Sequence, residues 1–230
     1  MLVKKGTQMK IAFTMIAFIT LGFSSRLNAD EQELYSSSSL TAQIIAIAED
    51  NISKIEMSAI TQSRLQHFIT ALLEITPVKT EKAKSEEVAG AWRQLWTNTS
   101  FSATTNYQQV YQVVSKEGYY YNISETIIND VSFTSFLRGK YRPEGNQLEI
   151  LFTTNATRYG FYPEGTSLVG LVNDFEKGVI PNVQIPSPST TKEFMANVYV
   201  DDRLRIVIGG EDIQNKPNIF IFERIEKIQP

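Results

Sequence analysis

From Ala91 onward the chain is a run of short segments rich in β-branched and aromatic residues, each ended by Gly, Pro, Asn or Asp. This punctuation constrains the fold more than any other feature, because such segments cannot sustain helical periodicity and read as strands. The candidates are Trp92–Thr97, Tyr107–Val114, Tyr119–Glu125, Val131–Tyr141, Gln147–Thr154, a segment ending Val198–Val200, Leu204–Ile208 and Ile219–Arg224. About eight closely spaced strands predict a barrel or a sandwich, and a closed barrel of that count can hold one small apolar ligand. The stretch Asp174–Glu193 holds three of the eight prolines and a Ser/Thr cluster, and is read as a long loop.

The part before Gly90 has a different texture. A cap among the serines of "YSSSSL" precedes Leu40, Ile44, Ile45 and Ala48 at helical spacing. A second helical pattern starts at Met57, runs through Ile60, Leu65, Phe68, Ile69, Leu72 and Leu73, and ends near Pro77. The charged "VKTEKAKSEEVAG" then reads as a solvated connection with one further turn of helix before Gly90.

Residues 1–29 form the three parts of a secretory signal peptide: Met9-Lys10, 13 mostly apolar residues from Ile11 to Phe23, and a small-residue site ending at Ala29. The apolar run is shorter than the roughly 20 residues needed to span a bilayer. The expectation is an exported protein, periplasmic or extracellular after cleavage near Ala29, with residues 30–230 as a single domain: helices over about 38–90, strands over about 91–226. Residues 1–29 carry Lys4, Lys5, Lys10 and Arg26 and no acid, so the remainder has 18 basic against 25 acidic residues, net −7. No basic run with interleaved aromatics follows residue 30, and nucleic acid is a poor partner for such a surface.

The chain has no cysteine, which excludes disulfides, thiolate metal sites and cysteine nucleophiles together. His67, the single histidine, falls in a helical pattern and reads as a packed or half-exposed helix residue. There is no nucleophile elbow, phosphate loop, dinucleotide fingerprint or H-E-x-x-H pair. Asp201 with Asp202, or Glu125 with Asp130, are acid pairs better explained as solvated turn residues. No catalytic residue, metal or cofactor is expected. Asn-x-Ser/Thr sequons stand at Asn51, Asn98, Asn122 and Asn155.

Three stretches carry the candidate binding residues. In "GAWRQLW", Trp92 and Trp96 are an even number apart, so on a regular strand both indoles face one side, as core or as cavity lining. In "VYQVV", Gln112 shares a face with Val110 and Val114, while Tyr111 and Val113 share the other, so an inward amide would need a partner. In "YVDDRLRIVIGG", a bend at Asp201–Asp202 separates two strands, and Arg205 is read as outward, opposite Leu204 and Ile206.

Taken in order, "LLEITP" at Leu72–Pro77, "GAWRQLWT" with Trp96 where tyrosine is usual, "VYQ" at Val110–Gln112, "YVDDRLRIVIGG" and "NIFIFER" resemble the plastid-lipid-associated protein family, the fibrillins or plastoglobulins. The likeness spans about Leu40 to Arg224. Ile208 stands where the family's second arginine is usual, Pro217 replaces a glycine, and the leader is of the export rather than the plastid type. The resemblance implies a mainly β (α+β) fold: a lipocalin-like antiparallel β-barrel of about eight strands with two or three N-terminal helices packed outside. It implies non-enzymatic binding or shielding of a hydrophobic small molecule (lipid, isoprenoid or pigment). The alternative is a structural or interaction protein that associates with lipid surfaces or a partner through its helices. Trp96, Tyr111 and Gln112 are the candidates for the cavity or its rim, and Asp201 and Arg205 are carried over from the family signature.

Overall fold

The structure is a computed structural model that describes residues 36–52, 57–77, 79–99, 105–144, 147–179, 183–185, 192–209 and 218–228. The expected signal peptide lies outside these residues. Among them, no helix is long and apolar enough to cross a membrane.

Helix α1 (Ser37–Glu49) starts where the Ser36 hydroxyl accepts a hydrogen bond from the Ser39 N–H, and α2 (Ala59–Ile75) starts at Ser58 in the same way with Thr61. Leu40, Ile44, Ile45 and Ala48 of α1 pack with Leu65, Ile69 and Leu72 of α2. The pair lies over Leu95, Tyr199, Leu204, Ile206 and Ile221 of the sheet. The charged connection forms a third helix, α3 (Glu81–Val88), of two turns rather than one.

Nine antiparallel strands follow: β1 (Gly90–Thr97), β2 (Thr105–Val114), β3 (Tyr119–Ile128), β4 (Val131–Glu144), β5 (Gln147–Tyr159), β6 (Val183–Ile185), β7 (Lys192–Val200), β8 (Leu204–Gly209) and β9 (Asn218–Ile225). Eight of them close a ring in the order β4-β3-β2-β1-β9-β8-β7-β5, with β5 pairing back onto β4 and β6 attached to the far end of β5. The mainly β organisation with about eight strands and N-terminal helices is therefore present. All eight ring strands contribute to one apolar cluster, among them Trp92, Val114, Tyr120, Leu137, Ile150, Met195, Val207 and Phe222, which identifies the inner face.

Two glycines stand at close approaches within the ring. Gly139 lies where the β4–β5 register shifts, and a Cβ there would come within 3.1 Å of both the Ile150 side chain and the Leu151 carbonyl oxygen. Gly90 has φ +137°, and a Cβ there would sit 2.6 Å from Arg224 Nη1. The glycine of the Gly-x-Trp phrase thus admits the guanidinium that lies over Trp92.

The loop read over Asp174–Glu193 is corrected at both ends. Asp174–Glu176 close a fourth helix, α4 (Leu168–Glu176), and Lys192 and Glu193 open β7. Its middle contains β6, while residues 180–182 and 186–191 lie outside the description. Helix α4 is capped by Ser167 and buries Leu168, Leu171 and Val172 against Tyr111, Tyr121, Ile123 and Phe136 on the outer face. Strands β3, β4 and β5 each run three to five residues beyond their expected ends. The added residues of β4 and β5 are mostly polar, so apolar pattern alone stopped too early there, while β3 gains Thr126, Ile127 and Ile128.

Candidate functional site

The inner face has two ends of different chemistry. Gly90, Val114, Tyr119, Val200, Leu204 and Ile225 mark one end, while Thr97, Ile128, Val131, Tyr159, Gly209 and Asn218 mark the other.

The first end is closed. The Trp92 indole N–H donates to the Val88 carbonyl at 2.8 Å, and Val88 itself joins the inner cluster, so α3 lies across this opening rather than outside the ring. Arg224 lies over the Trp92 ring, its carbon CZ 4.1 Å from the centroid, and donates to the carbonyls of Glu87 (2.5 Å) and Ala89 (2.9 Å) at the end of α3. Burial pushes this guanidinium below its ordinary value, offset in part by Asp202 and Asp201. Lys84 of α3 also donates to the Asn197 carbonyl of β7.

Arg205 sits just inside this end at 0% exposure. Its Nε donates to Asn197 Oδ1 at 2.7 Å and its Nη1 to Gln112 Oε1 at 2.8 Å, and it lies between the rings of Trp92 and Phe222. The expectation of an outward Arg205 is overturned. Leu204 and Ile206 do share the opposite face, but that face is the outer one, buried under α1 and α2. With apolar residues needed on the covered outside, polarity no longer tells inside from outside on β8.

Gln112 does point inward as the alternation required, and its partner is Arg205. Tyr111 is on the outer face beneath α4, not at a cavity. Trp96 is also displaced from its expected place. The β1–β9 register shifts between Gln94 and Trp96, which reverses the alternation, so Trp92 faces inward while Trp96 packs outward against the helix pair. There it borders a hollow of about 120 Å³ with Leu65, Ile69 and Ile219. A wider, open hollow of about 590 Å³ lies along α2 at Ile60, Arg64 and exposed His67.

Asp201 is at the bend, as expected. Its Oδ1 accepts from the backbone N–H groups of Arg203 (2.7 Å) and Leu204 (2.6 Å), and its Oδ2 from the Tyr199 hydroxyl at 2.7 Å. Tyr199 also meets Ser37 at 3.2 Å and Thr41 at 3.4 Å, so the bend fixes the first turn of α1. The other acid pair does not form a site: Glu125 is buried on β3, and Asp130 lies in the exposed two-residue turn beyond it, with φ +64°.

The second end is different. The cross-strand row Gln112–Asn122–Leu137–Asn155 continues from Trp92 at the closed end, and the next row toward the second end, Val110–Ser124–Ser135–Thr157, carries polar groups over the inner face of β3 to β5. Asn122, Ser124, Ser135, Asn155 and Thr157 are all half-buried although they face into the ring. Ser135 and Thr157 pair at 3.0 Å. Across from them on β9, Phe220 of this end stacks on Phe222 of the closed end with centroids 6.3 Å apart. This end carries polar side chains on one wall and the Phe220 ring on the other. Sequence reasoning did not select it, although the alternation of β3 to β5 holds the signal once the inner face is known.

Comparison with models of known protein families and with curated proteins returns no match for this chain.

Proposed function

We propose that the ring is a lipocalin-like barrel, closed at the Trp92 end, and that its mouth receives a hydrophobic small molecule such as a lipid, isoprenoid or pigment without transforming it. The observation that carries this reading is the contrast within one inner face: a fully buried base, and above it inward-facing side chains that stay half-exposed. A guest lying against Phe220, Leu137 and Phe133 removes apolar surface from water at roughly 25 cal/mol per Å², which suffices for useful affinity without a charged anchor. The resemblance of the sequence to plastid-lipid-associated proteins supports the same reading.

Organic extraction and native mass spectrometry of the purified protein test it. The expected result is a co-purifying apolar molecule that is lost when Leu137→Trp narrows the mouth of a folded variant. A folded protein that neither retains nor takes up any apolar molecule overturns it.

The second reading is association with lipid surfaces through the helices. It is favoured by Ile60, 83% exposed at the start of α2, with Ile52 and Ile75 also exposed on the helix pair. Vesicle flotation separates the two: flotation abolished by Ile60→Ser with Ile75→Ser, but indifferent to Leu137→Trp, favours the surface reading.

A further inference from the structure

We propose that the hollow between α2 and the outer face of β1 and β9 binds a small neutral aromatic molecule, a single ring bearing one uncharged hydrogen-bonding group. The site lies outside the ring of strands and is separate from any guest of its interior. Its volume is about 120 Å³. An apolar cavity of about 150 Å³ holds one benzene, so this space is matched to a single ring. Leu65 and Ile69 of α2 and Ile219 of β9 make the apolar floor. Trp96 adds an aromatic wall and stays half-buried there. It is present because the β1–β9 register shifts between Gln94 and Trp96; on an unbroken strand the indole would join Trp92 inside the ring.

The rim is polar without being charged. Gln62 and Gln66 stand one turn apart on α2, both exposed, and neither side chain makes a hydrogen bond among the described residues. Each carboxamide offers donors and an acceptor to a molecule in the hollow. On the facing wall the Ile219 N–H donates to Asn98 Oδ1 at 2.7 Å, which fixes that side chain to β9. No ionisable residue lines the space, so a carboxylate or an ammonium would give up hydration there without a counter-charge.

Titration of the full chain, labelled with nitrogen-15, with benzamide tests this site; benzoate and toluene serve as the charged and the apolar counterparts. Benzamide is expected to shift the Trp96 indole N–H and the Gln62 and Gln66 side-chain signals, and to bind on the order of fivefold tighter than either counterpart. Gln66→Trp fills the hollow from an exposed position of α2, where the fold tolerates change, and should abolish the shifts. Gln62→Leu with Gln66→Leu should keep the Trp96 shift and bring benzamide level with toluene. Leu137→Trp, which narrows the mouth of the ring, should alter none of this. Shifts that appear at Trp92 instead of Trp96, that survive Gln66→Trp or that vanish in Leu137→Trp overturn the site. Equal binding of the three probes, or no shift up to the solubility limit of benzamide, overturns it as well, and each of these results leaves the barrel reading to its own test.

Discussion

The closed end and the mouth are built from the same eight strands, yet one is packed and the other half-wet. At the closed end Trp92, Tyr120, Ile150, Arg205 and Phe222 reach 0% exposure, and even the guanidinium has amide acceptors and ring faces around it. At the mouth the polar rows of β2 to β5 keep partial contact with solvent. The difference separates tasks along one axis: cohesion is concentrated where α3 and Arg224 seal the ring, which leaves the opposite end free to carry groups that do not help the fold.

The sharpest way to break the comparison is to excavate the closed end. Trp92→Ala removes a fully buried indole and its bond to Val88, and should cost about 3–5 kcal/mol in urea unfolding. The matched change at the mouth, Ser135→Ala, loses a half-buried hydroxyl pair and should cost about 1 kcal/mol or less. Similar losses at both ends would dissolve the distinction.

Arg205→Ala comes next. It leaves the oxygens of Gln112 and Asn197 buried without their donor, at about 1–3 kcal/mol for each. A double change with Gln112→Leu should recover part of the loss, because the stranded acceptor is then removed as well. Recovery of nothing would mean that the guanidinium acts through its stacking on Trp92 and Phe222 instead.

How far the sequence foretold these ends depends on what covered each strand. Helices α1 and α2, the strand-rich remainder and the Asp201 bend were legible because capping serines, apolar spacing and turn aspartates are local signals. The inward Gln112 was legible too, from simple alternation. Arg205 was not, because α1 and α2 bury the outer face of β8, and the residues that look like core are there for the helices. Trp96 was not, because one extra residue in β1 reverses the facing of everything beyond it. Helix α4 had a signal, Ser167 followed by Leu168, Leu171, Val172 and Phe175, and it was hidden by the proline-rich composition just downstream.

Asp201→Ala tests the closed end from its outer side. The carboxylate receives two backbone N–H groups and the Tyr199 hydroxyl, so its loss should cost about 1.5–3 kcal/mol. Hydrogen exchange should quicken first at Leu204 and in the opening turn of α1, which Tyr199 reaches through Ser37 and Thr41. Exchange that quickens equally at the mouth would show that the bend supports the ring as a whole.

The smallest effect sharpens the mouth. Glu125 lies buried on the outer side of β3, where its Oε1 accepts the Tyr162 N–H at 3.4 Å and Arg158 stacks on the Tyr162 ring. Burial pushes its carboxyl above the ordinary glutamate value, and the Tyr162 bond offsets this only in part. The folded protein therefore holds the proton to higher pH than the unfolded chain does. Its contribution to stability is complete below the ordinary glutamate value and is lost as pH rises through the raised one. Glu125→Gln, which keeps the shape and cannot ionise, should match the wild type at acid pH and exceed it above that window. Melting temperatures measured across the acid range should thus diverge in favour of the variant. A variant that falls below the wild type at neutral pH would mean that the ionised Glu125 is the form the outer side of β3 is built around.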